Sequence, residues 1–190
     1  MRIILASASR GRQGVLEQLG LEFEIIPSVI EEELDESREF HEALQLLALR
    51  KAREVSQRVG DDALVLGADT LAVGDRIYGK PADDESAVEM LKDLQGKSHS
   101  VITGIALVKG DCSRWITAYE KTTLTLKPMS DWEIWDYVHT GEPIGKAGGY
   151  ALQGQASRFI AQVKGSITNI IGLPLEKLVP MLMAFGLNII

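Results

Sequence analysis

A chain of 190 residues with 45% apolar and 25% charged residues has an ordinary globular make-up and is long enough to bury a core without covalent staples. Its net charge of −7 provides no global basic field for nucleic acid, so a polyanionic ligand must be held by local cations. One cysteine, Cys112, excludes an internal disulfide framework and a Cys-rich zinc site, and no stretch approaches the roughly 20 apolar residues of a membrane span.

The apolar run after Met1 is too short for a signal peptide, so the expected setting is an intracellular, reducing compartment. No internal repeat, low-complexity segment or linker interrupts the chain, and a single domain over 1–190 is expected. Ile3 to Ala6 reads as a short buried strand. Ser7-Ala8-Ser9 then opens a helix carrying Val15, Leu16 and Leu19, with Ser9 as N-cap and Gly20 as its stop. Arg10 and Arg12 stand in the first turn, where a cation is disfavoured by a few tenths of a kcal/mol. An anion bound between them would reverse that sign; otherwise both simply point into water. Glu22 to Pro27 reads as a second strand. The acidic run from Glu31 to Glu36 reads as an exposed loop, most of it solvated, from which either Glu31 or Glu32 could reach a metal.

A long helix is expected from about Ser37 to Arg58, with Leu44, Leu47, Ala48, Val55 and Val59 as its apolar stripe. Lys51 falls inside that stripe. It either snorkels to the helix edge, the commoner outcome, or points into a site. The run Ala63 to Leu66 predicts a strand covered on both faces, ending in Gly67-Ala68 and then Asp69-Thr70. That places a carboxylate and a hydroxyl at the carboxyl edge of a sheet, where open α/β sheets hold ligands. Gly74-Asp75 predicts a hairpin whose return brings Lys80 towards Asp69. The pair suits a phosphate ester, against the plainer reading of a solvated salt bridge.

Asp83-Asp84 begins a helix with Ala87, Leu91 and Leu94 inward and Gly96 at its end. Gly96-Lys97-Ser98 is not a P-loop: Leu91 stands where glycine is needed, and a strand rather than a helix follows. Val101 to Val108 and Trp115 to Leu126 predict paired strands around Gly110-Asp111. Ser130 and Glu133 form a capping box before a helix with Ile134, Trp135 and Val138. Trp115, Trp132 and Trp135 could suggest base stacking, but Trp132 and Trp135 lie near a helix start, where core or interface packing is the commoner role. A glycine-rich loop from Gly141 to Gly154 offers close backbone approach to a ligand, with Lys146 as its cation and Gln153 as a donor–acceptor pair suited to a base edge. Phe159 to Val163 and Ile167 to Ile171 read as strands, and Gly172-Leu173-Pro174 starts the last helix. His41, His99 and His139 lack metal-ligand spacing, and no Ser-His-Asp elbow exists. Serine, arginine, lysine and carboxylate at loop positions suit a phosphate ligand with a hard divalent cation.

In order along the chain, Leu5-Ala6-Ser7-Ala8-Ser9 with Arg12, Glu31-Glu32, Leu47-Ala48 with Lys51-Ala52, Gly67-Ala68-Asp69-Thr70, Lys80-Pro81, Gly96 with His99 and Thr103-Gly104, Lys146-Ala147-Gly148-Gly149-Tyr150 with Gln153-Gly154, and Gly165-Ser166 with Asn169 and Gly172-Leu173-Pro174-Leu175 resemble the Maf family of nucleoside triphosphate pyrophosphatases. The resemblance spans essentially the whole chain. It implies an α/β fold, an elongated mixed β-sheet flanked by helices with two lobes around a central nucleotide-binding cleft. The implied activity is hydrolysis of a nucleoside triphosphate, such as dTTP, UTP or a modified pyrimidine nucleotide, to monophosphate and pyrophosphate with Mg²⁺ or Mn²⁺. The implied setting is a cytoplasmic homodimer clearing the nucleotide pool, with an association with inhibition of septum formation. No nucleic-acid or membrane partner is expected. By position, the resemblance implies Asp69 as general base and Glu32 with Asp69 at the metal. It implies Arg12, Lys51 and Lys80 as phosphate contacts, Ser7 and Ser9 in a phosphate cradle, Lys146 among the substrate-binding residues, and Gly11, Thr70 and Gln153 in base selection. Ser9-Arg10-Gly11-Arg12 departs from the usual Ser-Pro-Arg-Arg of the dTTP/UTP branch, Gly145 stands where Asp is common, and Ile167 where Tyr is common. The alternative reading is a nucleotide-binding regulatory protein of cell division with little catalysis.

Overall fold

The central apolar run does not stop at its carboxylate. In the computed structural model, which describes residues 1–189, strand β3 continues from Ala63 to Val73 and carries Asp69 and Thr70 within it. Leu71-Ala72-Val73 extends the β-forming sequence, and the hairpin return closes on it, with Ala72 opposite Tyr78 and Val73 opposite Ile77 of β4 (Ile77–Tyr78). The expected sheet-edge carboxylate is therefore a mid-strand carboxylate. The other strands are β1 (Arg2–Leu5), β2 (Glu24–Ile25), β5 (Ser98–Lys109), β6 (Trp115–Leu126) and β7 (Ile160–Lys164). They form one mixed sheet in the order β2-β1-β3-β5-β6-β7, with β4 beside β3. The helices are α1 (Arg10–Glu17), α2 (Phe40–Val59), α3 (Asp84–Leu94), α4 (Asp131–Val138), α5 (Ile167–Ile171) and α6 (Leu175–Ala184). This is the α/β architecture with a mixed sheet and flanking helices that the family resemblance implies.

The chain divides into two compact units, one of residues 1–69, 103–120 and 172–190, the other of residues 70–102 and 121–171. In the first, β1 runs parallel to both β2 and β3, with Ile4 opposite Glu24 on one side and Val65 on the other. The second strand is shorter than the expected Glu22–Pro27. Only Glu24 and Ile25 pair, Ile26 N–H donates to Leu5 C=O, and Pro27 has no N–H to continue the ladder. Helix α2 starts three residues later than expected because Ser37 is engaged before it: its N–H and hydroxyl both donate to Asp35 Oδ1, while Arg38 donates to Oδ2. Ala48, Leu49, Ala52 and Val55 of α2 bury against Ile4, Ala63, Val65, Ala106 and Val108.

In the second unit, Leu91 and Leu94 of α3, Leu124 and Leu126 of β6, and Ile134, Tyr137 and Val138 of α4 share one core with Tyr78 and Phe159. Both α3 and α4 carry full capping boxes, Asp83 with Ser86 and Ser130 with Glu133. Trp135 packs against that core, whereas Trp132 is exposed. The expected strand at Ile167–Ile171 is instead helix α5. Its β-branched residues favour a strand in isolation, but Ser166 Oγ accepts from Asn169 N–H as a helix cap would. Asn169 Nδ2 then donates to Val101 C=O and Thr122 Oγ1, which fixes the turn in the interior. Tertiary hydrogen bonding overrides local propensity here.

His99 of β5 lies in the same interior at 4% exposure, its Nε2 2.6 Å from the Tyr150 hydroxyl. Among the described residues its Nδ1 has no hydrogen-bond partner. Burial lowers the imidazole pKa to about 4. Below pH 6.5 the unfolded chain therefore gains a proton that the folded chain refuses until about pH 4. Folding stability should fall across that window by up to about 3 kcal/mol. Urea melts of the wild type and His99→Gln at pH 7 and pH 4.5 should show a smaller acid loss in the variant; equal losses would remove His99 as a source of acid sensitivity.

Candidate active site

Strand alternation puts Ala63, Val65, Gly67 and Asp69 on one face of β3, the face against which α2 packs. The stripe of α2 facing it includes Ala48, Lys51, Ala52 and Val55, at three- and four-residue spacing. Gly67 lies where these elements come closest: a Cβ built there would be 2.1 Å from Ala48 C=O and 3.0 Å from Ala52 N. A similar notch occurs on β5, where a Cβ on Gly104 would lie 2.4 Å from Leu44 C. With α2 pressed this close to the sheet, the residue one turn past Ala48 reaches the residue two past Gly67.

That residue is Lys51. It does not snorkel: it is 4% exposed, and its Nζ lies 2.5 Å from Asp69 Oδ1 and 2.7 Å from Glu32 Oε1. Asp69 is itself only 6% exposed. Both acidic candidates are exposed, and Glu32 is the one whose carboxylate reaches Lys51. Desolvating an ammonium and a carboxylate costs several kcal/mol per ion. The short charge-assisted contacts offset this cost, and removing Asp69 would leave the buried Lys51 only the exposed Glu32 carboxylate.

The turn after β1 adds a second cation. Ser9 caps α1 by accepting from Arg12 N–H at 3.5 Å, and its own N–H donates to Ser7 Oγ at 3.3 Å. Arg12 turns back into the protein rather than into water: Nη1 donates to Ser7 Oγ at 3.0 Å and Nε to Gly172 C=O at 3.0 Å. Burial lowers the guanidinium pKa, opposed by attraction to Asp69 and Glu32. Arg10, by contrast, is exposed, and Gly11 sits between them in the first turn of α1. The first unit thus brings together Ser7, Ser9, Arg12, Glu32, Lys51 and Asp69. The sequence reading missed Gly172, whose carbonyl orients Arg12. A backbone acceptor 160 residues away leaves no local signature, although Gly-Leu-Pro does mark a special turn.

Thr70, Lys80, Lys146 and Gln153 belong to the second unit. Thr70 is half-buried on β3, and Lys80 is exposed just after β4. Lys146 precedes a 3₁₀ turn over Ala147–Gly149, and Gly148 N–H donates to Gly79 C=O at 2.9 Å. The two lysine-bearing loops are therefore stapled through their backbones. Gly148 has φ 75°, and a Cβ on it would lie 2.9 Å from the Tyr150 ring, so glycine is required. Gln153 is exposed on the next turn.

Among the described residues no group of three or more His, Cys, Asp or Glu side chains could hold a metal ion. Glu32 and Asp69 nevertheless form a hard oxygen donor set. It fits a divalent ion of the Mg²⁺ kind, which binds through one or two carboxylates and completes its shell with water and substrate phosphates.

A mixed-sheet α/β fold with two buried cations and a buried carboxylate beside a serine-rich helix start defines a class suited to phosphorylated ligands. The fold is similar to that of a HAM1 protein from Coxiella burnetii (TM-score 0.52, 18% identity, 97% of this chain and 99% of that one). It is also similar to the Ham1 protein of Staphylococcus aureus (TM-score 0.50, 12% identity, 98% of each chain). At the sequence level the Maf-like protein family model matches residues 2–185, and the chain belongs to that family. It is 45% identical over 189 residues to a dTTP/UTP pyrophosphatase of Pelotomaculum thermopropionicum, covering 99% of this chain and 98% of the relative. It is likewise 45% identical over 186 residues to a dTTP/UTP pyrophosphatase of Symbiobacterium thermophilum, covering 97% and 94%.

The notch at Gly67 makes a direct prediction. Gly67→Ala should force α2 outward, with an overpacking cost of about 1–3 kcal/mol and a Tm lowered by roughly 3–10 °C in a chain of this size. Thermal denaturation followed by circular dichroism checks this, and an unchanged Tm would mean that the helix relaxes freely at that point.

Proposed function

We propose that this protein hydrolyses nucleoside triphosphates between the α and β phosphorus atoms, with dTTP and UTP preferred, releasing monophosphate and pyrophosphate. The observation that carries the reading is the buried Lys51, held between Asp69 and Glu32 with Arg12 nearby, in a chain closely similar to proteins named for that activity. Attack of water on the α-phosphorus needs a proton acceptor and cations where charge develops. Asp69 is the acceptor: Lys51 engages Oδ1, leaving Oδ2 to take the proton from the attacking water. Arg12 is oriented in advance by Ser7 Oγ and Gly172 C=O, so it stabilises the phosphoryl oxygens without reorganising during the reaction. Lys51 has a third N–H to offer a phosphate oxygen.

The remaining assignments follow the family resemblance. Lys80 contacts phosphate and Lys146 binds substrate, Ser7 and Ser9 cradle phosphate, and Thr70, Gln153 and Gly11 take part in base selection. Glu32 and Asp69 would hold a Mg²⁺ or Mn²⁺ ion, which supplies charge neutralisation at the phosphates. The proposed form is a cytoplasmic homodimer. Among the described residues no helix is long and apolar enough to cross a membrane.

Pyrophosphate release should be measured for dTTP, UTP, CTP, GTP and 7-methyl-GTP, using wild type and Asp69→Asn. The expected outcome is turnover concentrated on dTTP and UTP, lowered by about 10²–10⁴-fold in Asp69→Asn with the fold intact. Equal rates for every base would overturn the pyrimidine preference. Nucleotide binding without pyrophosphate release would favour the regulatory alternative. Chelation with EDTA should abolish turnover, and Mg²⁺ or Mn²⁺ should restore it; full activity in EDTA would remove the metal from the proposal.

A further inference from the structure

Glu142, in the loop after α4, is not among the residues implicated above, yet its carboxylate is fully committed. Oε1 accepts from the Tyr137 hydroxyl at 2.8 Å and from Ala156 N–H at 3.2 Å, and Oε2 accepts from Gln155 N–H at 2.8 Å. The Tyr137 oxygen in turn accepts from Ala151 N–H at 3.2 Å. Gly154 N–H closes the turn onto Ala151 C=O. A Cβ on Gly154 would lie 2.1 Å from Glu142 Oε2, so the carboxylate is seated directly against the backbone next to Gln153. Glu142 is held in its own place as well: its N–H donates to Thr140 Oγ1, and that hydroxyl donates to Tyr137 C=O. Tyr137 is fully buried in the core of the second unit, which makes it a rigid base for the arrangement. Burial and the neighbouring carboxylate raise the phenol pKa, so the hydroxyl remains a donor to Glu142.

The turn at 151–156 is therefore tied at both ends while the Gln153 side chain between them is exposed. We infer that Glu142, acting with Tyr137, is a positioning residue for Gln153, holding its amide in the orientation that reads a pyrimidine edge. This rests on the proposed role of Gln153 in base selection. Glu142 touches no substrate. It determines specificity by fixing the backbone from which Gln153 projects, since an amide that must match both a donor and an acceptor on a base tolerates little error in angle.

The test compares Glu142→Gln, Tyr137→Phe, Gln153→Ala and the double variant Glu142→Gln/Gln153→Ala. Its readouts are backbone amide exchange over 151–156, Tm, and separate kcat and KM for dTTP and GTP. Glu142→Gln preserves size but turns one acceptor into a donor facing an N–H or O–H. Amide exchange at Gln155 and Ala156 should quicken by about tenfold or more, as expected for loss of a hydrogen bond to a charged acceptor. The dTTP KM should rise by about tenfold, well beyond any change for GTP, narrowing the preference between them. Tyr137→Phe should act in the same direction but more weakly, with exchange quickened at Ala151. In the double variant the Glu142 substitution should add little to Gln153→Ala, because both disrupt one contact.

If Gln153→Ala alters base preference but Glu142→Gln does not, the inference is overturned and the reading of Gln153 stands. A lowered Tm with equal losses for dTTP and GTP, additive in the double variant, would also overturn it in favour of a purely structural pin. If Gln153→Ala itself leaves the dTTP-to-GTP ratio unchanged, the proposed role of Gln153 fails and the inference falls with it.

Discussion

The geometry of the first unit depends on how closely helix α2 approaches strand β3. Lys51 and Asp69 lie on elements that meet only because residue 67 has no side chain and residues 48 and 52 have small ones. One larger side chain in that seam would separate the helix from the strand, and a salt bridge of 2.5 Å would not survive the displacement. The ammonium would then be buried without its carboxylate. Backbone packing and buried electrostatics are thus one constraint here: the apolar seam sets a distance, and the ion pair requires it.

The same logic extends to Arg12. A guanidinium at 9% exposure has given up most of its hydration, and it recovers hydrogen bonds from a serine hydroxyl and a main-chain carbonyl. Two buried cations beside two carboxylates make an arrangement that is close to neutral overall but strongly polar locally. Such a site already contains the dipoles that a developing phosphate charge would need, fixed by folding rather than gathered from solvent. The cost is borne by the protein core, where apolar side chains of similar volume would pack with no desolvation penalty. The surrounding small residues and short contacts are what make that cost tolerable.

Much of this was legible in the sequence. Ser9 as an N-cap, the capping box at Ser130, the Gly74-Asp75 hairpin and the Gly96 helix stop each follow from local chemistry, and each appears where the chain spells it. The ordered motifs pointed to the correct family. What local chemistry could not decide was set by distant partners. Lys51 in an apolar stripe is compatible with snorkelling until its carboxylates, 18 and 19 residues away, are known to converge on it. The run Ile167-Thr168-Asn169-Ile170-Ile171 favours a strand until Asn169 finds Val101 and Thr122 in the interior. A carboxylate and a hydroxyl look like a strand ending, yet the β-forming run through Leu71 to Val73 carries β3 past Asp69 and Thr70.

The contact between Arg12 and Gly172 C=O has a consequence for the order in which the molecule comes into being. The main-chain acceptor of Arg12 lies 160 positions further along the chain. Domains generally fold as units during synthesis, and the guanidinium cannot take its final orientation before residue 172 has emerged. A nascent or truncated product would carry the serine-rich turn and the central strand yet lack the piece that aims its arginine. The turn that carries Gly172 thereby completes what the early serine-rich segment begins, because the arginine is aimed only once both are folded side by side.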